Sequence, residues 1–185
     1  MPVIVQKSIS NNISLSIWSI EESLDFFLSN LRLTKNCEQR LDKLKSDEMK
    51  KQFLAVRKLI QLNGISLDSL SYSSEGIPFL NTEKNISISH TEGFSAIAIS
   101  PKPVGIDIQD FRDKILSISK KFINSNERDL IDPSSIKELT LVWCIKEATY
   151  KVHRKPGLDF KDEIKIQSIS DNLTYSIIKV EKLDK

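Results

Sequence analysis

Two titratable side chains, Glu147 and Lys151, follow Trp143 at intervals of four residues. In a helix these positions lie along one stripe, so the three side chains would share a face. A Glu–Lys pair at this spacing is common on helix surfaces, where it contributes only about 0.2–0.5 kcal/mol. The large Trp143 in the same stripe favours a face turned toward the interior or a cleft, where an acid beside a base is typical of a functional site.

A carboxylate, Asp107, lies in a segment with the alternation of a β-strand, residues 104–109. Period two predicts that the apolar side chains face the core and that Asp107 and Gln109 lie on the other face. A lone exposed aspartate is usually an ordinary surface residue. Gly105 beside it is compatible with a ligand approaching the backbone closely.

One of the two histidines, His90, ends a further predicted strand, residues 86–90, just before a Glu92-Gly93 turn. At a sheet edge, phosphate oxygens could reach His90. An isolated histidine at a strand end is more often a packing or surface residue. This segment alone therefore permits chemistry without requiring it.

Taken together, the three segments resemble, in order and spacing, the signature of the 4′-phosphopantetheinyl transferase superfamily. They are residues 87–90, 105–108 and 143–151, which read Ser-Ile-Ser-His, Gly-Ile-Asp-Ile and Trp-Cys-Ile-Lys-Glu-Ala-Thr-Tyr-Lys. Looser agreement at 53–57 and 157–160 extends the resemblance over most of the chain. The length of 185 residues is similar to the larger, single-chain, surfactin-synthetase-activating type, which acts as a monomer.

The resemblance implies an enzyme that transfers the 4′-phosphopantetheine group of coenzyme A to a serine of an acyl or peptidyl carrier protein. Such an enzyme uses Mg²⁺ and releases 3′,5′-ADP. Attack of a hydroxyl on a phosphate requires charge neutralisation on the phosphoryl oxygens, a base for the hydroxyl and stabilisation of the leaving nucleotide. The partners implied are coenzyme A and the carrier protein.

The family pattern assigns these tasks to particular residues. Asp107 and Glu147 would hold Mg²⁺, with Gln109 as a weaker third ligand, because this hard ion prefers oxygen. Glu147, or a metal-bound water, would take the serine proton, and Lys151 would contact the phosphate oxygens. The coenzyme A-binding residues implied are Arg57, Ser89, His90 and Lys151, with Arg57 at the 3′-phosphate, where a planar fork suits an anion.

Two positions depart from the family pattern. Gln109 stands where a second acidic residue is usual, and Ile77 stands where Gly-Lys-Pro is common near the adenine pocket. Both changes would weaken contacts with the metal or with coenzyme A. They leave open an alternative function, a non-catalytic module that binds coenzyme A or a carrier protein with the same fold.

The periodicities along the chain predict an α+β fold. Short alternating runs predict strands, among them 86–90 and 95–100, and a helix is predicted over 46–62, with Arg57 on its surface. A longer helix is predicted to begin at Asp132-Pro133 and to reach about His153. The resemblance implies two similar halves, 1–102 and 103–185, each a small antiparallel sheet packed with a long helix, with the site between them.

Composition excludes several other classes of protein. The net charge of +2 is too small for a general nucleic-acid binder, although a basic cluster between Lys43 and Lys58 keeps that alternative open. Five scattered glycines exclude glycine-rich phosphate loops. Two cysteines at no metal-ligand spacing, and no apolar stretch of signal or membrane-span length, favour a soluble cytoplasmic protein with no nucleic-acid or membrane partner.

Overall fold

The computed structural model describes residues 3–9, 12–154, 157–170 and 172–181, and its fold is α+β, as predicted. The strands are β1 (Val3–Ile9), β2 (Ile13–Ser19), β3 (Leu70–Tyr72), β4 (Pro78–Leu80), β5 (Asn85–Thr91), β6 (Phe94–Ser100), β7 (Ile164–Ile169) and β8 (Ser176–Val180). The α-helices are α1 (Leu24–Asn30), α2 (Lys35–Leu41), α3 (Asp47–Leu62), α4 (Lys114–Ile118) and α5 (Ile136–His153). In this part of the chain, no helix is long and apolar enough to cross a membrane.

Contacts divide the chain into two compact units, Met1–Ile108 and Gln109–Lys185. The prediction of two halves, 1–102 and 103–185, states that the halves have similar folds. The division into compact units does not test that similarity, so the halves stay a prediction.

The first unit contains a four-stranded antiparallel sheet with the order β1-β2-β6-β5. A tight turn at Glu92-Gly93 joins β5 to β6, and Gly93 has a φ of 72°, a conformation that costs a residue with a β-carbon energy. A second, smaller sheet pairs β3 with β4. The strands predicted around β5 and β6 are confirmed.

Helix α3 covers one face of the large sheet. It begins at Ser46, whose side chain accepts a hydrogen bond from the Met49 backbone, and it ends at Asn63-Gly64. Its buried apolar side chains pack on the sheet residues Trp18, Ile86, Ile97 and Ile99. Asn63 also bonds two serine hydroxyls of β2, so that the polar side chains on this face are satisfied.

On β5 and β6, the opposite face of the sheet carries small side chains, and this part of the sheet is called the small-residue face below. Ser87 pairs with Ala98 and Ser89 with Ala96 in the β5–β6 register, and all four are buried. Such side chains leave room for another stretch of backbone to approach the sheet closely.

The strand predicted over 104–109 is wrong, because residues 103–112 form no regular secondary structure. This stretch does not add its backbone to the sheet edge. Its N–H groups instead bond serine side chains on the small-residue face, at Ser87 and Ser89. Alternation of apolar residues reflects which side chains are buried, and it does not require that the backbone is hydrogen-bonded to a neighbouring strand. This explains why the alternation over 104–109 led to a wrong strand prediction.

The second unit packs α5 with the β7–β8 hairpin. Its core includes Phe122, Leu139, Val142 and Ile166. The helix begins later than predicted, because Ser135 caps it by accepting from the Glu138 backbone. The predicted cap, Asp132, instead closes a turn by accepting from the backbone and hydroxyl of Ser134, which lowers the Asp132 pKa.

Truncation of the α3 core should be costly. Leu59 has no exposed surface, so Leu59→Ala should lower the free energy of unfolding by about 2–5 kcal/mol through lost burial and a residual cavity. Leu62→Ala in the same helix is the control, since Leu62 is 39% exposed and should lose much less. Chemical denaturation followed by circular dichroism measures both, and equal losses would contradict the packing described.

Candidate active site

Asp107 is held by a hydroxyl on the neighbouring strand. Ser89 Oγ donates to Asp107 Oδ1 at 2.8 Å and accepts from the Ile108 backbone N–H at 3.2 Å. Two residues earlier in both segments, Ser87 Oγ accepts from the Ile106 N–H at 3.0 Å. Alternate serines of β5 therefore anchor the stretch that carries Asp107.

The sequence of β5 accounts for this arrangement. Successive side chains of a strand point to opposite faces, so Ser87 and Ser89 share the small-residue face. They are only 4% and 6% exposed, and buried hydroxyls require hydrogen-bond partners. The stretch after β6 supplies those partners, which explains why Asp107 lies over β5 without being part of a strand.

His90 lies on the other face of β5 from Ser89, and it is exposed. The structure therefore brings Ser89, but not His90, to Asp107. Gln109, the third predicted metal ligand, is exposed.

Arg57 is buried, contrary to the predicted surface position, with only 2% of its surface exposed. Its guanidinium lies 3.2 Å from the centroid of the Phe53 ring and donates to the Tyr72 hydroxyl at 2.7 Å. A second arginine, Arg40, stacks on the Tyr72 ring at 3.7 Å. Cation–π contacts and the tyrosine hydroxyl, rather than a carboxylate, stabilise this positive charge within the first unit. The periodicity of α3 predicted a surface position for Arg57. Periodicity within one helix gives no information about a contact with Tyr72, which lies outside that helix.

In the second unit, α5 presents Trp143, Glu147 and Lys151 on one stripe, all partly buried. Trp143 packs against two other aromatic rings, Phe122 at 5.1 Å and Phe160 at 5.4 Å between centroids. The indole therefore turns this stripe toward the packed side of the helix, as its size indicated.

Next to Glu147, Lys146 forms a buried ion pair that the sequence analysis missed. Lys146 has no exposed surface and Glu127 has 1%, and their charged atoms are 2.7 Å apart. Lys146 Nζ also donates to the carbonyls of Phe160 and Ile164, at 2.7 and 2.8 Å. Burial lowers the pKa of Lys146, while the hydrogen bond and charge of Glu127 oppose that shift.

Glu127 is satisfied from the other side as well. Its carboxylate accepts from the backbone N–H groups of Asn124 and Ile166, at 3.0 and 2.8 Å. The pair thus ties α5 to the start of β7 and to the loop before α5. The sequence contains one sign of this ion pair. Lys146 lies on a helix face whose other side chains are packed, and a lysine in such a position indicates a buried partner of opposite charge.

The donor chemistry of the candidate residues suits a hard cation. Within the described residues, no three His, Cys, Asp or Glu side chains group together. Mg²⁺ is nevertheless commonly held by one or two carboxylates plus waters and substrate phosphates. A carboxylate has about four lone-pair sites, so a hydrogen bond from Ser89 leaves Asp107 acceptor capacity for a metal.

Comparison with known proteins finds a similar family. A family model of the 4′-phosphopantetheinyl transferase superfamily matches residues 103–181, a stretch that contains Asp107, Glu147 and Lys151. Over these residues the chain is similar to that superfamily. The resemblance predicted from the motifs is confirmed, whereas the roles of the individual residues in the transferase motifs stay predictions.

A similar protein is the 4′-phosphopantetheinyl transferase gsp of Aneurinibacillus migulanus, which is 30% identical over 105 residues. The match covers 53% of this chain. It covers 44% of that transferase, so the chain matches less than half of the relative's length.

The buried Lys146–Glu127 pair, whose lysine lies within the segment 143–151, should contribute strongly to stability. Lys146→Met leaves Glu127 charged and unpaired in the core, so the free energy of unfolding should fall by about 3–5 kcal/mol. Adding Glu127→Gln should recover part of the loss. Denaturant titration measures both variants.

Lys165→Met is the matched control, because Lys165 pairs with Glu181 at the surface and its side chain is 40% exposed. It should change stability little, since exposed ion pairs contribute little. A loss in Lys146→Met no larger than in this control would contradict the role of the buried pair.

Proposed function

We propose that this chain transfers the 4′-phosphopantetheine group of coenzyme A to a serine of an acyl or peptidyl carrier protein, releasing 3′,5′-ADP. The observation that carries the proposal is the family match over the stretch that contains Asp107, Glu147 and Lys151. The anchoring of Asp107 by Ser89 and the common stripe of Glu147 and Lys151 support it. We further expect a cytoplasmic monomer.

Asp107 and Glu147 are the proposed holders of Mg²⁺, with Gln109 as the residue at the position of the third ligand. When bound, Mg²⁺ would neutralise charge on the pyrophosphate of coenzyme A. Gln109 offers a neutral amide oxygen, so most of the affinity for the ion would come from the two carboxylates. The pairing of these residues on one ion rests on the family pattern.

The chain's own side chains would handle the proton and the leaving group. Glu147, partly buried on α5, is the proposed acceptor of the proton from the carrier serine. Lys151 follows one turn later on the same stripe, where its ammonium would bind phosphate oxygens and stabilise the departing nucleotide. The Lys146–Glu127 pair would hold the helix that carries both.

Coenzyme A would be bound in the first unit. His90, exposed at the end of β5, is accessible to a phosphate. Arg57 lies beneath Phe53 and Tyr72, so it would act on the 3′-phosphate chiefly through its charge, together with the less buried Arg40. Ile77 supplies no charge at the position where the family commonly has lysine.

The second candidate function is a non-catalytic module that binds coenzyme A or a carrier protein. Gln109 and Ile77 favour it, because each removes a charge that the family pattern places in the site. This candidate predicts binding without turnover.

The test is mass spectrometry of an apo acyl carrier protein incubated with this protein, coenzyme A and Mg²⁺, with a control containing EDTA. The carrier should gain one phosphopantetheine mass, and only with the metal. Glu147→Gln should lower kcat/KM by about 10²–10⁴-fold through loss of the base. Glu138→Gln in the same helix is the control, because the amide still provides an acceptor for the Asp132 N–H.

Unchanged conversion by Glu147→Gln would overturn the proposed role of Glu147. No conversion of several acyl and peptidyl carriers by the unmodified protein, with coenzyme A still bound, would establish the non-catalytic function instead.

A further inference from the structure

The single proton of the Ser89 hydroxyl is used within the first unit. A serine hydroxyl has one proton to donate and two lone pairs to accept with. The proton goes to Asp107 Oδ1 at 2.8 Å, and a lone pair accepts the Ile108 N–H at 3.2 Å. Ser89 is also only 6% exposed. In this arrangement it has no proton to give to a phosphate of coenzyme A, although the family pattern implied such a contact.

We propose that Ser89 is a positioning residue that aims the Asp107 carboxylate toward the metal, and does not itself contact coenzyme A. This inference rests on the proposed function for the part that concerns the metal. The hydroxyl contacts both the carboxylate of Asp107 and the next backbone N–H, so it fixes the side chain and its backbone together.

The local structure makes such an anchor necessary. Residues 103–112 form no helix or strand, and Gly105 precedes Asp107 by two positions. Without ladder pairing, the backbone around Asp107 is less restrained than that of a strand, and holding its side chain in one rotamer costs conformational entropy. A hydrogen bond to an ionised carboxylate is stronger than one between neutral groups, and it can offset that cost.

Ser87 provides an internal comparison. It lies on the same face of β5 and is equally buried, and its hydroxyl accepts the Ile106 N–H at 3.0 Å. The Ser87 hydroxyl contacts the backbone of the stretch, whereas the Ser89 hydroxyl contacts both backbone and carboxylate. Removal of either hydroxyl therefore loosens the same stretch, but only removal of the Ser89 hydroxyl takes a hydrogen bond directly from the carboxylate.

The experiment compares Ser89→Ala with Ser87→Ala in three measurements. The first is the χ1 rotamer of Asp107, from three-bond couplings in labelled protein without metal. The second is the Kd of Mg²⁺ by calorimetry with coenzyme A present. The third is the Kd of coenzyme A in EDTA.

Ser89→Ala should average the Asp107 rotamer and raise the Kd of Mg²⁺ about 10–100-fold, the usual effect of removing a hydrogen-bond partner of a metal ligand. It should leave the metal-free Kd of coenzyme A within about twofold, the range expected when no ligand contact is lost. Ser87→Ala should preserve a single rotamer and change the Kd of Mg²⁺ less than about threefold, because the carboxylate keeps its partner.

Each contrary result has a distinct meaning. A single Asp107 rotamer in Ser89→Ala, or weakened metal-free binding of coenzyme A in that variant alone, would overturn the positioning role. Failure of the unmodified protein to bind Mg²⁺ with coenzyme A would overturn the proposed function, while the rotamer measurement would still decide whether Ser89 orients Asp107.

Discussion

Buried polar groups must find partners, and this constraint determines where the two motif carboxylates lie. In the first unit, the buried hydroxyls of Ser87 and Ser89 bind the stretch that carries Asp107. In the second, the buried ammonium of Lys146 binds Glu127 and two carbonyls, and Glu147 is the next residue along the helix. An unsatisfied hydroxyl or charge in these places would cost more than a typical single contact contributes.

The family motifs therefore combine two kinds of residue. In the motif at β5, Ser89 performs a structural task and His90 remains exposed. In the motif on α5, Lys146 is buried in the core while Glu147 and Lys151 lie on the stripe of Trp143. A side chain that is to bind a charged ligand must remain accessible to that ligand. The residue that orients this side chain is best buried. Adjacent positions in a strand or helix separate these tasks because their side chains point in different directions.

The positive charge in the first unit is also stabilised by neighbouring side chains, but here the main partner is an aromatic residue. Arg57 and Arg40 surround Tyr72, and the ring and hydroxyl of this tyrosine partly replace the carboxylates that buried arginines usually pair with. Cationic side chains held by aromatic faces retain an attraction for an anion, and in the described part of the chain no acidic side chain pairs with Arg57 or Arg40.

The local sequence pattern was sufficient to predict the α+β class, the extent of α3, β5 and β6, and the shared stripe of Glu147 and Lys151. These features depend on periodicity and turn residues, which act between near neighbours. The motifs were also sufficient for the family. Tertiary structure alone decided that residues 104–109 are not a strand, that Arg57 is buried, and that Lys146 pairs with Glu127. Each of these outcomes depends on a partner at least 15 positions away in the sequence. Such partners satisfy buried polar groups, and local periodicity does not predict which residues they are.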